Sequence, residues 1–109
     1  MTRANLGELE EQVLLILLRL GDTHAVEVAE RLEALTGRAV SAATTFMVMR
    51  RLEQRGLLSS RVEKARPDWG GRPRRFYRAR QRAVLPMLRA SRRARLSLWR
   101  GLEHLLDEK

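Results

Sequence analysis

The chain has 109 residues, one domain's worth, and 44% of them are hydrophobic, enough for a single thin core. Twenty-two Lys and Arg against 13 Asp and Glu give a net charge of +9, which points to a polyanionic partner, nucleic acid ahead of a membrane surface. Cysteine is absent, which excludes a disulfide framework, a thiol nucleophile and a thiolate metal site.

The charges are segregated. Residues 1–36 carry seven acids and three arginines, a net of −4, while residues 37–100 carry 18 basic side chains and only Glu53, Glu63 and Asp68, a net of +15. Residues 101–109 return to −2. A surface that needed only solubility would mix its signs; counterion release from phosphates rewards a concentrated basic one.

In chain order, residues 7–20 form the first expected helix, with Leu9, Val13, Ile16, Leu17 and Leu20 at helical spacing. Glu8, Glu10 and Glu11 lie in its first turn, where the helix dipole favours acids. Leu14, Leu15 and Leu18 fall outside that stripe, so the helix is expected to be covered on more than one side, by its own chain or a partner. The apolar run 13–18 follows three acids, does not read as a signal peptide and is too short to span a bilayer, so a cytoplasmic protein is expected.

Gly21-Asp22 stops this helix. A second is expected over about 24–35, with Val28, Leu32 and Leu35 inward and Thr36-Gly37 closing it. After a short extended piece, 38–40, Ser41 is a good N-cap for a third helix from 42 to about 55, ended by Gly56. Its inward face is Thr45, Val48 or Met49, and Leu52; the other side carries Ala42, Ala43, Phe46, Met47, Arg50 and Gln54.

Beyond Gly56 the pattern alternates. Residues 57–64 and 74–78 read as two strands around a basic loop, 66–73, dense in Gly and Pro, which together make a wing. Residues 81–107 are helical again, with Leu85, Leu88, Leu98, Trp99, Leu102, Leu105 and Leu106 apolar. Pro86 belongs in the first turn or marks a kink.

This order predicts a mainly α fold with a two-stranded β wing: a winged helix-turn-helix DNA-binding domain over 1–80, then a C-terminal dimerisation helix over 81–109. The third helix is the element expected in the major groove, and the wing the one on backbone or minor groove.

Several segments carry a specific resemblance. Leu6-Gly7-Glu8-Leu9-Glu10 with Val13-Leu14-Leu15-Ile16-Leu17, Leu20-Gly21-Asp22 and Val26-Glu27-Val28-Ala29-Glu30-Arg31-Leu32-Glu33 cover the first two helices. Val40-Ser41-Ala42-Ala43-Thr44-Thr45-Phe46 and Arg51-Leu52-Glu53-Gln54-Arg55-Gly56-Leu57-Leu58 cover the third. Gly70-Gly71-Arg72-Pro73-Arg74-Arg75-Phe76-Tyr77-Arg78 and Leu98-Trp99-Arg100-Gly101-Leu102 cover the wing and the end. In order and spacing the chain resembles the PadR family of transcriptional repressors, in its compact subgroup with a single C-terminal helix. His24 and Ala25 stand where that family has Tyr-Gly, Phe46 where it has tyrosine, Met47 and Met49 where it has proline and leucine, and Ala43 where it has glycine. The resemblance implies a homodimer on an inverted-repeat operator, released by a small aromatic effector.

The DNA-binding candidates are Ser41, Ala43, Thr44, Phe46, Met47, Arg50, Arg51, Arg72, Arg74 and Arg75. Arg50 either pairs with guanine or touches phosphate, and Arg51 is ambiguous in the same way. Ser41 is as much a cap as a phosphate ligand, and Phe46 meets a thymine methyl or packs on the wing. Alternation sends Arg74 and Arg75 to opposite faces, so one of them at most is optimally placed. The dimerisation candidates are Leu88, Leu98, Trp99, Leu102, Leu105 and Leu106; Trp99 has a second reading, an aromatic wall for a flat effector. Trp69 covers the ribbon or stacks on a sugar.

No nucleophile–base pair, acid pair or phosphate-binding glycine loop is visible, and His24 and His104 have no partner at metal-ligand spacing. No enzyme activity, metal or cofactor is expected, and the acids read as solvent-facing. The alternatives to operator recognition are a winged-helix protein-interaction adaptor and a non-specific nucleic-acid-binding protein.

Overall fold

The first helix, α1 (Glu8–Leu20), is apolar nearly all round and is packed on several sides, leaving its Leu15 side open. In the computed structural model, which describes residues 5–107, Val13, Leu14, Ile16 and Leu17 are all buried. Leu14, expected outside the buried stripe, is thus central to the core, while Leu15 is exposed. Residues 1–4 and 108–109, the outer ends of the two expected segments, lie outside the described residues. Glu10 reaches back to accept the Gly7 N–H at 2.9 Å, satisfying one orphan donor of the first turn.

Helix α2 (Ala25–Thr36) packs Val28 and Leu32 inward. Leu35, expected inward, is 53% exposed: it sits in the last turn, on the open rim of a groove between α1 and α2 that Leu15 and Leu18 also line. Gly37 ends the helix at φ = 76°, a left-handed conformation open to glycine without steric cost. Helix α3 (Ala42–Gln54) starts at Ser41, whose Oγ accepts the Thr44 N–H at 3.0 Å. Thr45, Val48, Met49 and Leu52 are buried.

Strands β1 (Leu58–Glu63) and β2 (Arg74–Ala79) pair antiparallel, Leu58 opposite Ala79 and Glu63 opposite Arg74. The connection contains a single 3₁₀ turn, Pro67–Trp69. Thr23, between α1 and α2, adds a one-residue bridge to β2: its N–H donates to Tyr77 O at 3.0 Å and its carbonyl accepts from Tyr77 N at 2.6 Å. The wing is therefore tied at its root to the helices.

The C-terminal part departs from one continuous helix. Helix α4 (Gln81–Trp99) stops at Arg100, and Gly101, at φ = 87°, turns the chain into a short α5 (Glu103–Leu106). Val84 and Leu88 of α4 are buried against the core. Leu88 is thus part of the chain's own core and not of an exposed dimer face, because it falls one turn after Val84 on the side facing α1. Pro86 lies in the second turn, inside the helix. Among the acids, Glu11 is not solvent-facing: it is buried between α1 and α4, accepting from Ser91 Oγ at 2.8 Å and Arg95 Nη1 at 2.5 Å.

Candidate nucleic-acid interface

Helix α3 is amphipathic in the sense a groove-reading helix requires. Its buried side holds it on α1 and α2; its other side leaves Ala43, Thr44, Met47, Arg50, Arg51 and Gln54 exposed. Ala43, Met47, Arg50 and Gln54 follow each other at helical spacing, so they form one strip along the helix. Ser41 and Thr44 are exposed at its N-terminus, their hydroxyls 3.1 Å apart and hydrogen-bonded. Exposed N–H groups and the positive end of the dipole make that end suited to a phosphate. Ser41 fills its capping role as well. Phe46 is half-buried, its ring edge-on to Tyr77 with centroids 6.3 Å apart, so it packs on the wing strand.

The wing splits its arginines between two faces, as alternation requires. Arg75 is on the face shared with Tyr77 and Ser60: its Nη1 donates to Ser60 Oγ at 2.9 Å, and Ser60 Oγ donates to Glu53 Oε2 at 2.5 Å. This chain of contacts ties the wing to the end of α3 and sets the Arg75 guanidinium beside it. Arg74 is on the other face, half-buried. It lies 5.0 Å over the Trp69 ring, with Nη1 3.2 Å from His24 Nε2. Arg72 is exposed in the loop. Of the three wing arginines, Arg75 is the one brought to α3, while Arg74 is committed to bracing the loop.

Trp69 covers the ribbon. It packs at 5.9 Å on Phe76, and Arg66 lies 5.1 Å over its ring. Phe76 in turn meets His24 edge-on at 5.2 Å and carries Arg61 at 5.0 Å. Arg61 also pairs with Asp22 and Glu63. His24 caps α2 through a long 3.4 Å bond from the Glu27 N–H to Nδ1. Burial, reinforced by the Arg74 cation, holds its pKa below 6.5 despite the opposing pull of Glu27 and Glu30. The role of His24 is thus structural. Residues 61 and 66 were not singled out in the sequence; the signal was there in an Arg–aromatic set, Arg61, Arg66, Trp69, Arg74 and Phe76, spaced around one hairpin loop.

The Tyr77 hydroxyl is buried with no hydrogen-bond partner among the described residues. Burial first, then the nearby Glu53 carboxylate, raises its pKa, against the pull of Arg75 and Arg50. No group of three or more His, Asp or Glu at metal-binding distance occurs among the described residues, and no helix among them is long and apolar enough to cross a membrane.

A helix-turn-helix whose second helix offers an exposed basic strip, with a wing locked beside it, defines a DNA-binding transcriptional regulator of the winged-helix class. The model of the Transcriptional regulator PadR-like family matches residues 13–82. The chain belongs to that family, whose members are transcriptional regulators and not enzymes.

Solved structures agree. A PadR family transcriptional regulator from Eggerthella lenta is 30% identical over 94% of this chain and 88% of its own, with a TM-score of 0.66. A transcriptional regulator from Clostridium thermocellum (16% identity, 87% and 89% covered, TM-score 0.65) has the same fold. So does a PadR family regulator from Clostridium difficile (15%, 89% and 94%, 0.53). No curated protein matches.

Proposed function

We propose that the chain is a homodimeric repressor that recognises an inverted-repeat operator through α3 and its wing, and that a flat effector held beside Trp99 releases it. The observation that carries this reading is the exposed strip Ala43, Met47, Arg50 and Gln54 on α3, with Arg75 fixed next to it. Arg50 on such a strip has the reach and fork geometry for guanine O6 and N7. Thr44, Ser41, Arg51 and Arg72 take phosphates around it.

Dimerisation is supported by the far end of the molecule. Leu98 is 77% exposed and Trp99 40%, and Leu102, Leu105 and Leu106 are exposed after them. Five large apolar side chains within nine residues make a patch of the kind that marks an interaction site. Pairing two chains through this segment and the exposed Leu15 side of α1 sets the two α3 helices about 34 Å apart, one turn of B-DNA. An effector stacked on Trp99 acts by favouring one separation over another, and only through unequal affinity for the two.

Selection from a random duplex pool, with salt titration of the winners, tests this. A palindrome with half-sites one helical turn apart is the expected result. Salt-sensitive binding without sequence preference overturns operator recognition, and absence of binding at low salt leaves the adaptor role instead.

A further inference from the structure

Helix α4 has two unlike faces. Val84 and Leu88 on one face enter the core, and Ser91 and Arg95 continue that face onto Glu11. The opposite face carries Arg82, Arg89, Arg92 and Arg93, followed by Arg100 just past the helix end. At 3.6 residues per turn all five fall within about 100° of the helix circumference. All five are exposed, and none makes a salt bridge or side-chain hydrogen bond among the described residues. Arg89, Arg92, Arg93 and Arg100 line a groove of about 320 Å³ floored by Leu96.

Like charges three and four residues apart repel, so this face needs a counter-anion. None of the chain's acids lies on α4. On α1, Glu8 pairs with Arg38, Glu10 with Arg55 and Glu11 with Arg95; Asp22 and Glu63 are taken by Arg61. No acid occurs from residue 69 to residue 102. A second copy brings a further +9, so self-association concentrates the excess instead of cancelling it.

We propose that the outer face of α4 is a second, sequence-independent binding surface for the phosphate backbone of duplex DNA. Arginine's planar fork matches phosphate oxygens two at a time, and every cation on this face is arginine. From Arg82 to Arg100 the row extends about 27 Å, enough to follow several phosphates of one strand. A membrane surface fits less well, because a membrane-lying helix needs an apolar face along its length, and the exposed large apolar side chains of α4, Leu96, Leu98 and Trp99, are confined to its last turn. Helix α1 packs on α3 and also carries the Glu11 contact to α4, so the arginine row is a surface separate from the α3 strip. The DNA it holds is either the flank of the duplex engaged by α3, bent round the protein, or a second duplex. The proposal does not require α3 to read sequence.

The test uses the full chain and two variants, Arg50→Gln/Arg51→Gln and Arg82→Gln/Arg89→Gln/Arg93→Gln; glutamine keeps helix propensity at exposed sites. The probes are a long duplex on beads and a short labelled duplex of unrelated sequence in solution. The α3 variant is expected to lose sequence selection yet retain salt-sensitive binding to any duplex. The α4 variant is expected to keep its dimer and its selected sequence, with a log–log salt slope smaller by about 2–3 on long DNA. Capture of the short duplex by bead-bound wild type identifies a second duplex; a slope that grows with flank length and no capture identifies the flank. An unchanged slope in the α4 variant overturns the proposal. So does loss of its dimer with DNA binding intact, which assigns the arginines to another copy, or loss of anionic-vesicle binding alone, which assigns them to a membrane. Failure of operator reading shows instead as absence of sequence selection by the wild type.

Discussion

Arg95 on α4 reaches across 84 positions of sequence to donate to the buried carboxylate of Glu11 on α1, at 2.5 Å, beside Ser91 on the same oxygen. This is the polar joint between the DNA-binding helices and the C-terminal segment. Arg95→Ala leaves that carboxylate with one hydroxyl for company. Because the arginine is itself half exposed, the expected loss is about 1–2 kcal/mol, below the cost of breaking a fully buried pair. Urea unfolding measures it, and an unchanged midpoint would show that Ser91 alone suffices.

Leu88 and Leu102 separate core from interface. Leu88→Ala opens a cavity beside Val84 and is expected to cost about 2–5 kcal/mol of stability. Leu102→Glu touches nothing buried and should leave the fold intact while yielding monomers in sedimentation. A dimer that survives Leu102→Glu overturns the interface placed at the end of the chain.

Arg50 on α3 and Arg75 on the wing stand 25 positions apart in sequence, and they should fail differently. Arg50→Ala is expected to cost about 1–3 kcal/mol on the selected operator and to relax preference at a single base pair. Arg75→Ala should weaken all duplexes alike and reduce the salt slope by about 1. Titrations on matched and mutated sites distinguish the two.

The neutral His24 imidazole, wedged between Phe76 and Arg74, makes stability pH-dependent. Its pKa is lowered by folding, so below 6.5 the unfolded chain binds the proton more readily than the folded one. The contribution of His24 is complete above 6.5 and is lost as pH falls through that value toward the folded pKa. His24→Asn, which can still cap α2, should flatten the stability–pH curve in that window; the same slope in both proteins would remove His24 as its cause.

Tyr77 buries a hydroxyl without a partner among the described residues. Tyr77→Phe relieves an uncompensated burial and is expected to stabilise the fold by about 1 kcal/mol. A loss of stability in the melt would mean that the hydroxyl is satisfied in solution.

Much of this was legible in the residues. Ser41 as cap, Gly37 as helix stop, the turn from 3.6-residue to alternating period after Gly56, and the opposition of Arg74 and Arg75 all follow from short-range rules. What was not legible depends on which side of an element its neighbours choose. Leu14 falls outside the expected stripe and Leu35 within one, yet Leu14 is central and Leu35 exposed, because α1 is packed on several sides while Leu35 stands on the open rim of the α1–α2 groove. Leu88 reads like Leu98 in a helical pattern; only the packing of α1 against the first turns of α4 tells them apart. Glu11 reads as a first-turn acid, since its partner lies 84 residues on. The break at Gly101 hid inside an apolar repeat that keeps its spacing across it.

Helix α1 precedes every element that covers it and is the last to be fully enclosed. Its cover arrives in stages: α2 and α3, then Tyr77 bridging to Thr23, then Val84, Leu88 and Arg95. Until α4 emerges, a helix apolar on nearly every side has open flanks, and contacts this distant in sequence form slowly. Before α4 docks, the chain therefore exposes apolar surface of the kind that makes partly folded states prone to aggregation. A chain truncated before α4 is expected to be an aggregation-prone stub and not a smaller working regulator.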